Sequence, residues 1–222
     1  MPHDPQLDCP LCRSPGPEPF FADARDYYRC GVCQLVFVPL RFVLSPAEEK
    51  SVYDQHQNSP DDAGYRTFLS RLCDPICQRL APGSRGLDFG SGPGPTLSVI
   101  LTEAGHQVAI YDPFYAPDQS PLRPPPEALY DFITASEVVE HLRHPGAELE
   151  RLWRILNPGG LLGVMTKRVL DREAFSRWHY KNDPTHIRFF SAATFEYLAE
   201  HWRAELAIVG DDVVLFRKSA LR

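Results

Sequence analysis

The chain has 222 residues, 43% of them hydrophobic and 23% charged, enough for one packed domain with a small appendage. Its 23 basic and 29 acidic side chains leave a net charge of -6, which argues against a partner held mainly through phosphate electrostatics. No run reaches the ~18 apolar residues of a spanning helix, so no membrane insertion is expected, and Met1 to Pro5 lacks the basic start and apolar run of a signal peptide. The expected location is the cytoplasm, where six cysteines read first as metal ligands or buried apolar groups.

Residues 1–45 contain two Cys-x-x-Cys knuckles, Cys9/Cys12 and Cys30/Cys33, with 17 residues between them. A two-residue gap lets both thiolates of a pair converge on one side of a tight turn, and two such turns make a four-sulfur tetrahedral cage for zinc. A closed cage leaves no position for water, so the expected role is structural: metal binding supplies stability that a short segment with a small core lacks. Paired disulfides or a redox dithiol are the competing reading. The apolar run Gln34–Val38, closed by Pro39, reads as a strand. Residues 46–84 form a helical bridge, opened by the start signal Ser45-Pro46-Ala47-Glu48-Glu49 and continuing with helical spacing through Tyr65–Leu72. Cys73 and Cys77 lie on its apolar side and read as packing residues.

Residues 85–222 alternate short apolar strands with helical patterns. Strands are expected at 86–89, 107–111, 132–135, 161–166, 204–209 and 212–217, and helices at 95–104, 145–156 and 191–202. This predicts an α/β fold with a doubly wound, mostly parallel sheet. The last two strands are joined only by Val209-Gly210-Asp211, too short for a crossover, and form an antiparallel hairpin. Pro117 to Pro126, with five prolines, reads as a stiff linker.

Leu87-Asp88-Phe89-Gly90-Ser91-Gly92-Pro93-Gly94 follows the first of these strands and opens into a helix, a setting in which bare backbone approaches a ligand near a helix N-terminus. Asp112 closes the next strand, the position of an acid that meets ribose hydroxyls. The element resembles the first motif of class I S-adenosylmethionine methyltransferases, and Tyr130–Glu137, Leu156–Leu162 and the terminal hairpin match the same family. The resemblance implies a Rossmann-like fold over about 85–217. It implies a cofactor cradle of Asp88, Phe89, Gly90, Ser91, Gly92 and Gly94, a ribose clasp at Asp112, and contacts from Ala135, Ser136 and Glu137. A dinucleotide oxidoreductase shares the glycine pattern but lacks the Asn-Pro-Gly-Gly turn and the hairpin. Only 17 residues separate Asp112 from Tyr130, where the family fits a helix and a third strand, so that sheet edge is abbreviated. Pro113, Phe114 and Tyr115 are the expected substitute wall beside the adenine.

Glu137, Glu140 and His141 fall at i, i+3 and i+4 and share one face if a helix begins there. They supply candidate bases or, with His186, a candidate divalent-cation site. The string resembles the Glu-x-x-Glu-His element of quinone-biosynthesis O-methyltransferases and of small-RNA 2'-O-methyltransferases, which in the latter binds metal. Between the fifth strand and the next helix, Phe175–His186 is dense in aromatics. Trp178 and Tyr180 suit stacking on a planar acceptor, and His179 is a further candidate base. Tyr53–Asn58 is a second polar-aromatic cluster, placed to fold over the cofactor. The expected reaction is O-methylation of a small or planar acceptor. The alternatives are an RNA or protein acceptor docked by the ribbon and a non-catalytic cofactor-sensing module. With four basic and five acidic side chains, residues 1–45 show no basic face. No motif speaks to the oligomeric state.

Overall fold

The computed structural model describes residues 7–55 and 58–220. Met1 to Gln6, and His56 and Gln57 of the polar-aromatic cluster, lie outside the described residues.

The larger sheet is built from β4 (Arg85–Phe89), β5 (Gln107–Tyr111), β6 (Tyr130–Ser136), β7 (Leu156–Met165), β9 (Glu205–Val209) and β10 (Val213–Arg217), in the order β5-β4-β6-β7-β10-β9. The first four are parallel, and β10 runs antiparallel to both β7 and β9. This is the doubly wound α/β sheet with a terminal hairpin expected from the alternation of periods. The hairpin turns at Gly210, whose φ is +58°. β5 is an outer strand, and among the described residues no further strand lies beyond it.

Strand side chains alternate between two cores, as a period of two requires. Phe132, Leu161, Met165, Val213 and Leu215 face α2 (Ala63–Cys77) and α3 (Thr96–Glu103), where they meet Leu69, Leu72, Ile76 and Leu101. Cys73 is buried in this cluster as a packing residue. Ile133, Leu162, Val164, Val214 and Phe216 face the opposite core, with Leu149, Leu152 and Trp153 of α4 (Pro145–Arg154) and Phe195 and Leu198 of α6 (Ala192–Trp202). Ser45 caps α1 (Pro46–Tyr53) through a reciprocal capping box with Glu48, as the start signal predicts.

Three local expectations are corrected. The Asn157–Gly160 turn lies inside β7: pairing begins at Tyr130↔Leu156 and resumes at Phe132↔Leu161, so the four turn residues form a bulge opposite Asp131. The proline-rich linker is two 3-10 turns, 120–122 and 126–128, and its Leu122 is buried in the core. The segment after β6 is no α-helix either: Glu137 takes φ +52°, and a single 3-10 turn, Val139–His141, follows.

The N-terminal residues form β1 (Glu18–Ala22), β2 (Asp26–Arg29) and β3 (Val36–Phe37), and the sheet is completed by β8 (Arg188–Phe189) from far along the chain. Cys9, Cys30 and Cys33 belong to the α4 core cluster, and the Gly146 amide donates to Pro10 O. A third cluster, containing Phe20, Tyr27, Val36, Val169, Phe175, Tyr180 and Phe189, joins the ribbon to the 166–190 connection and its short helix α5 (Arg172–Ser176).

Candidate active site

At the carboxyl end of β4 the chain turns with Gly90 at φ +79°, a conformation that disfavours any side chain. A Cβ there would lie 2.4 Å from Val138 Cγ2. At Gly94 a Cβ would lie 1.9 Å from the backbone oxygen of Asn58, which also accepts from Thr96 Oγ1 at 3.0 Å. The bare loop therefore lets the segment after α1 close directly over it. Gly90 N and Ser91 N both donate to Tyr111 O. Ser91 Oγ is buried without a hydrogen-bond partner among the described residues, an orphaned polar atom of the kind a ligand satisfies.

Asp112 is 7% exposed and organises the facing wall. Its Oδ2 accepts from Gly92 N at 3.0 Å, and its Oδ1 accepts from Phe114 N at 2.8 Å and Tyr115 N at 3.0 Å. Oδ1 is thereby filled, and Oδ2 keeps one further lone pair for an incoming hydroxyl. The Phe114 ring lies 5.8 Å from Tyr53, and Tyr115 Oη donates to Asp54, so α1 and the Pro113–Tyr115 wall are joined as a roof. The residues expected at the cofactor separate into two groups. Phe89, Gly90, Ser91, Gly92, Asp112, Pro113, Ser136 and Glu137 line the pocket, together with Tyr65 and Phe68 of α2. Asp88, Gly94 and Ala135 are absent from the lining: Asp88 and Ala135 sit behind it in the sheet, and Gly94 is covered by Asn58 O. Asp88 accepts from Thr134 Oγ1 at 3.1 Å, and burial pushes its carboxyl up to about 7.

The same pocket, about 800 Å³, continues to His141, Leu142, Arg143, Asp183 and His186. Glu140 is fully buried beside it, and Glu140, His141 and His186 bring ligand-capable atoms within 4.8 Å of one another. Glu137 stands one carboxylate further out: the Tyr180 hydroxyl lies between Glu137 Oε2 at 3.3 Å and Glu140 Oε1, and it contacts Thr166 Oγ1 at 3.2 Å. Burial raises the pKa of both carboxyls, and their mutual charge adds to it at Glu137. Glu137 Oε1 and Glu140 Oε2 are buried without partners among the described residues.

Both imidazoles are oriented by carbonyls. Nδ1 of His186 meets Tyr180 O at 2.7 Å and Nδ1 of His141 meets Thr185 O at 3.1 Å, contacts that assign the Nδ1–H tautomer to each. His186 Nε2 then lies 3.8 Å from Asp183 Oδ2. Burial, with His141 adjacent, holds His186 below the usual histidine pKa and therefore neutral. His179 is exposed, 3.4 Å from Lys167 Nζ, and outside the pocket lining. Trp178 packs on Phe175, Tyr180 and Phe189 and is not among the residues lining the pocket. Tyr180 thus turns its hydroxyl to the two carboxylates where an aromatic face toward an acceptor was expected. Sequence reading missed that link, together with Tyr65, Phe68, Arg143 and Arg151; the aromatic spacing along α2 is the one local signal for the first two.

The four N-terminal sulfurs also converge. Cys9 and Cys33 Sγ are 3.4 Å apart and Cys12 and Cys30 Sγ 3.5 Å, with all four within 4.8 Å. A tetrahedral ion with bonds of about 2.3 Å needs sulfurs about 3.8 Å apart. Each knuckle is followed by a left-handed residue, Arg13 at φ +62° and Gln34 at φ +59°, whose amide returns to the carbonyl of the first cysteine of its pair.

A family model described as a methyltransferase domain matches residues 64–208. No curated protein matches the sequence. Among solved structures, the chain is similar to 1,6-didemethyltoxoflavin-N1-methyltransferase of Burkholderia thailandensis, determined with 1,6-didemethyltoxoflavin and S-adenosylhomocysteine bound. Identity is 16% and the TM-score 0.56, covering 91% of this chain and 99% of that one. An O-methyltransferase family protein of the same organism aligns at 12% identity and TM-score 0.50, covering 82% of this chain and 63% of the other. No described helix is long and apolar enough to cross a membrane.

Proposed function

The chain belongs to the methyltransferase-domain family and is an S-adenosylmethionine-dependent methyltransferase, and from that premise we propose that it methylates an oxygen of a small planar acceptor. The observation that carries this reading is that the glycine loop and the Glu140–His141–His186 cluster open into one pocket of about 800 Å³. That is the size of a small-ligand site, and Tyr53, Tyr65, Phe68 and Phe114 give it aromatic walls.

The residues present fit the cofactor: Gly90, Ser91 and Gly92 offer bare backbone and an orphaned hydroxyl, and Asp112 Oδ2 offers its remaining lone pair to the ribose. Bound S-adenosylmethionine supplies an electrophilic methyl group. The chain orients the acceptor for in-line approach, which supplies much of the rate, and removes the hydroxyl proton. His186 Nε2 is the proposed base. Its tautomer is fixed by Tyr180 O, and the Asp183 carboxylate stabilises the imidazolium that forms.

A second reading is favoured by the unpartnered Glu140 Oε2 beside two imidazoles whose Nδ1–H groups are tied to carbonyls, the orientation that metal-ligating histidines adopt. Glu140, His141 and His186 would hold a divalent cation, which lowers the pKa of a coordinated hydroxyl. In the ribbon, Cys9, Cys12, Cys30 and Cys33 fit a structural zinc ion.

Methyl-label transfer onto cell extract, separated into small-molecule, RNA and protein fractions, tests the proposal. Label in the small-molecule fraction on oxygen is expected. Label on RNA or protein, or on nitrogen alone, overturns it, and loss of transfer on chelation with recovery on added magnesium or manganese selects the cation reading.

A further inference from the structure

The ribbon's hairpin tip is tied to the acceptor side through Arg25 and, beside it, Asp23. Arg25, between β1 and β2, donates from Nη1 to His186 O at 3.0 Å and Pro184 O at 3.4 Å, and from Nη2 to Asp183 O at 3.2 Å and to Lys181 O. One guanidinium therefore gathers four carbonyls of the loop that carries His186 and Asp183 to the pocket. Its own plane is steadied by Nε, which donates to Tyr27 Oη at 3.2 Å. Lys181, only 6% exposed at its side chain, donates to Asp23 of the same tip at 2.6 Å. Past the loop, Ile187 N donates to Glu140 O at 2.9 Å and β8 enters the ribbon sheet beside β3. Arg25 is absent from the pocket lining, so a direct role on substrate is not part of its chemistry.

We propose that Arg25 is the positioning residue for the His186–Asp183 arm, and that the cysteine-closed ribbon is an internal scaffold of the acceptor site. This rests on the acceptor-side reading above. A planar fork with five donors can satisfy several carbonyls at once, whereas an ammonium is a single point charge, so lysine is an incomplete substitute. The cofactor half of the pocket hangs on β4, β5 and Asp112, none of which Arg25 touches.

Amide hydrogen exchange on the full chain tests the assignment. In Arg25→Ala, exchange across 181–187 is expected to quicken by about tenfold or more, while 86–92 keeps its protection. Calorimetry should give S-adenosylhomocysteine an affinity within about twofold of the parent protein, since a tenfold loss would mean about 1.4 kcal/mol. Transfer to the responsive extract fraction should fall in kcat with the cofactor KM unchanged, and Arg25→Lys should recover part of it. Unchanged exchange at 181–187, or an equal loss of S-adenosylhomocysteine binding, overturns the proposal. Should Arg25→Ala not fold, Asp23→Asn makes the same comparison through Lys181. Full transfer by His186→Gln would refute the base assignment alone and leave the exchange result standing.

Discussion

Replacing Asp112 by asparagine probes the cofactor half of the site with little change of shape. The carboxylate accepts three backbone amides, one on Oδ2 and two on Oδ1. An amide has one acceptor oxygen. If that oxygen faces Phe114 and Tyr115, the NH2 group confronts Gly92 N; flipped, it confronts the other two. At least one charge-assisted bond, worth about 1.5–3 kcal/mol, is lost whichever way the group turns. In a chain of this size each kcal/mol moves the melting temperature by about 2–4 °C, so thermal unfolding of Asp112→Asn should drop by about 3 to 12 °C. On the proposed reading the same loop geometry presents the carboxylate to the ribose, so S-adenosylhomocysteine affinity measured by calorimetry should fall about ten- to a hundredfold. A variant that melts with the parent and binds within twofold would refute the claim that Asp112 joins the glycine loop to the nucleoside.

Asp88 gives a pH-dependent test. Its carboxyl is raised from 3.8 to about 7 by burial, so the folded state binds more protons than the unfolded state across that window and stability declines as pH rises through it. Asp88→Asn should therefore be the more stable protein at pH 8, by on the order of 4 kcal/mol at most, and should match the parent near pH 4 in parallel denaturant titrations. Metal analysis should find one zinc per chain, and Cys33→Ser should lose it together with the cooperative unfolding of residues 7–45. His186→Gln should lower kcat by about a hundredfold or more, while His179→Ala, altering an exposed side chain beside Lys167, should leave methyl transfer within about twofold.

What was legible in the sequence is chemistry carried by neighbouring residues. The cysteine knuckles, the glycine loop with its acid and the terminal hairpin each need only a short stretch of chain, and spacing alone places their atoms. The missed features depend on contacts between distant segments. Nothing near Tyr180 says that its hydroxyl will meet Glu140, 40 residues earlier. Nothing near Arg188 says that its strand will extend a sheet begun at Glu18. His179 and His186 are equivalent candidates by composition; they diverge because Arg25 and β3 draw the second inward. Glu137 defeats a helical reading because its φ of +52° breaks the i, i+3, i+4 arrangement at its first member.

The proline-rich stretch beside β5 bears on how the protein behaves among copies of itself. The last strand of an open sheet offers a row of unpaired amides and carbonyls to any extended chain that drifts by, and self-association often begins there. Here the 120–122 turn lies alongside β5 with Leu122 anchored inward, and the five prolines of 117–126 have no amide proton to contribute. The segment covers part of the margin without becoming a new one, and the six-stranded sheet ends there against backbone that has few amides to pair with.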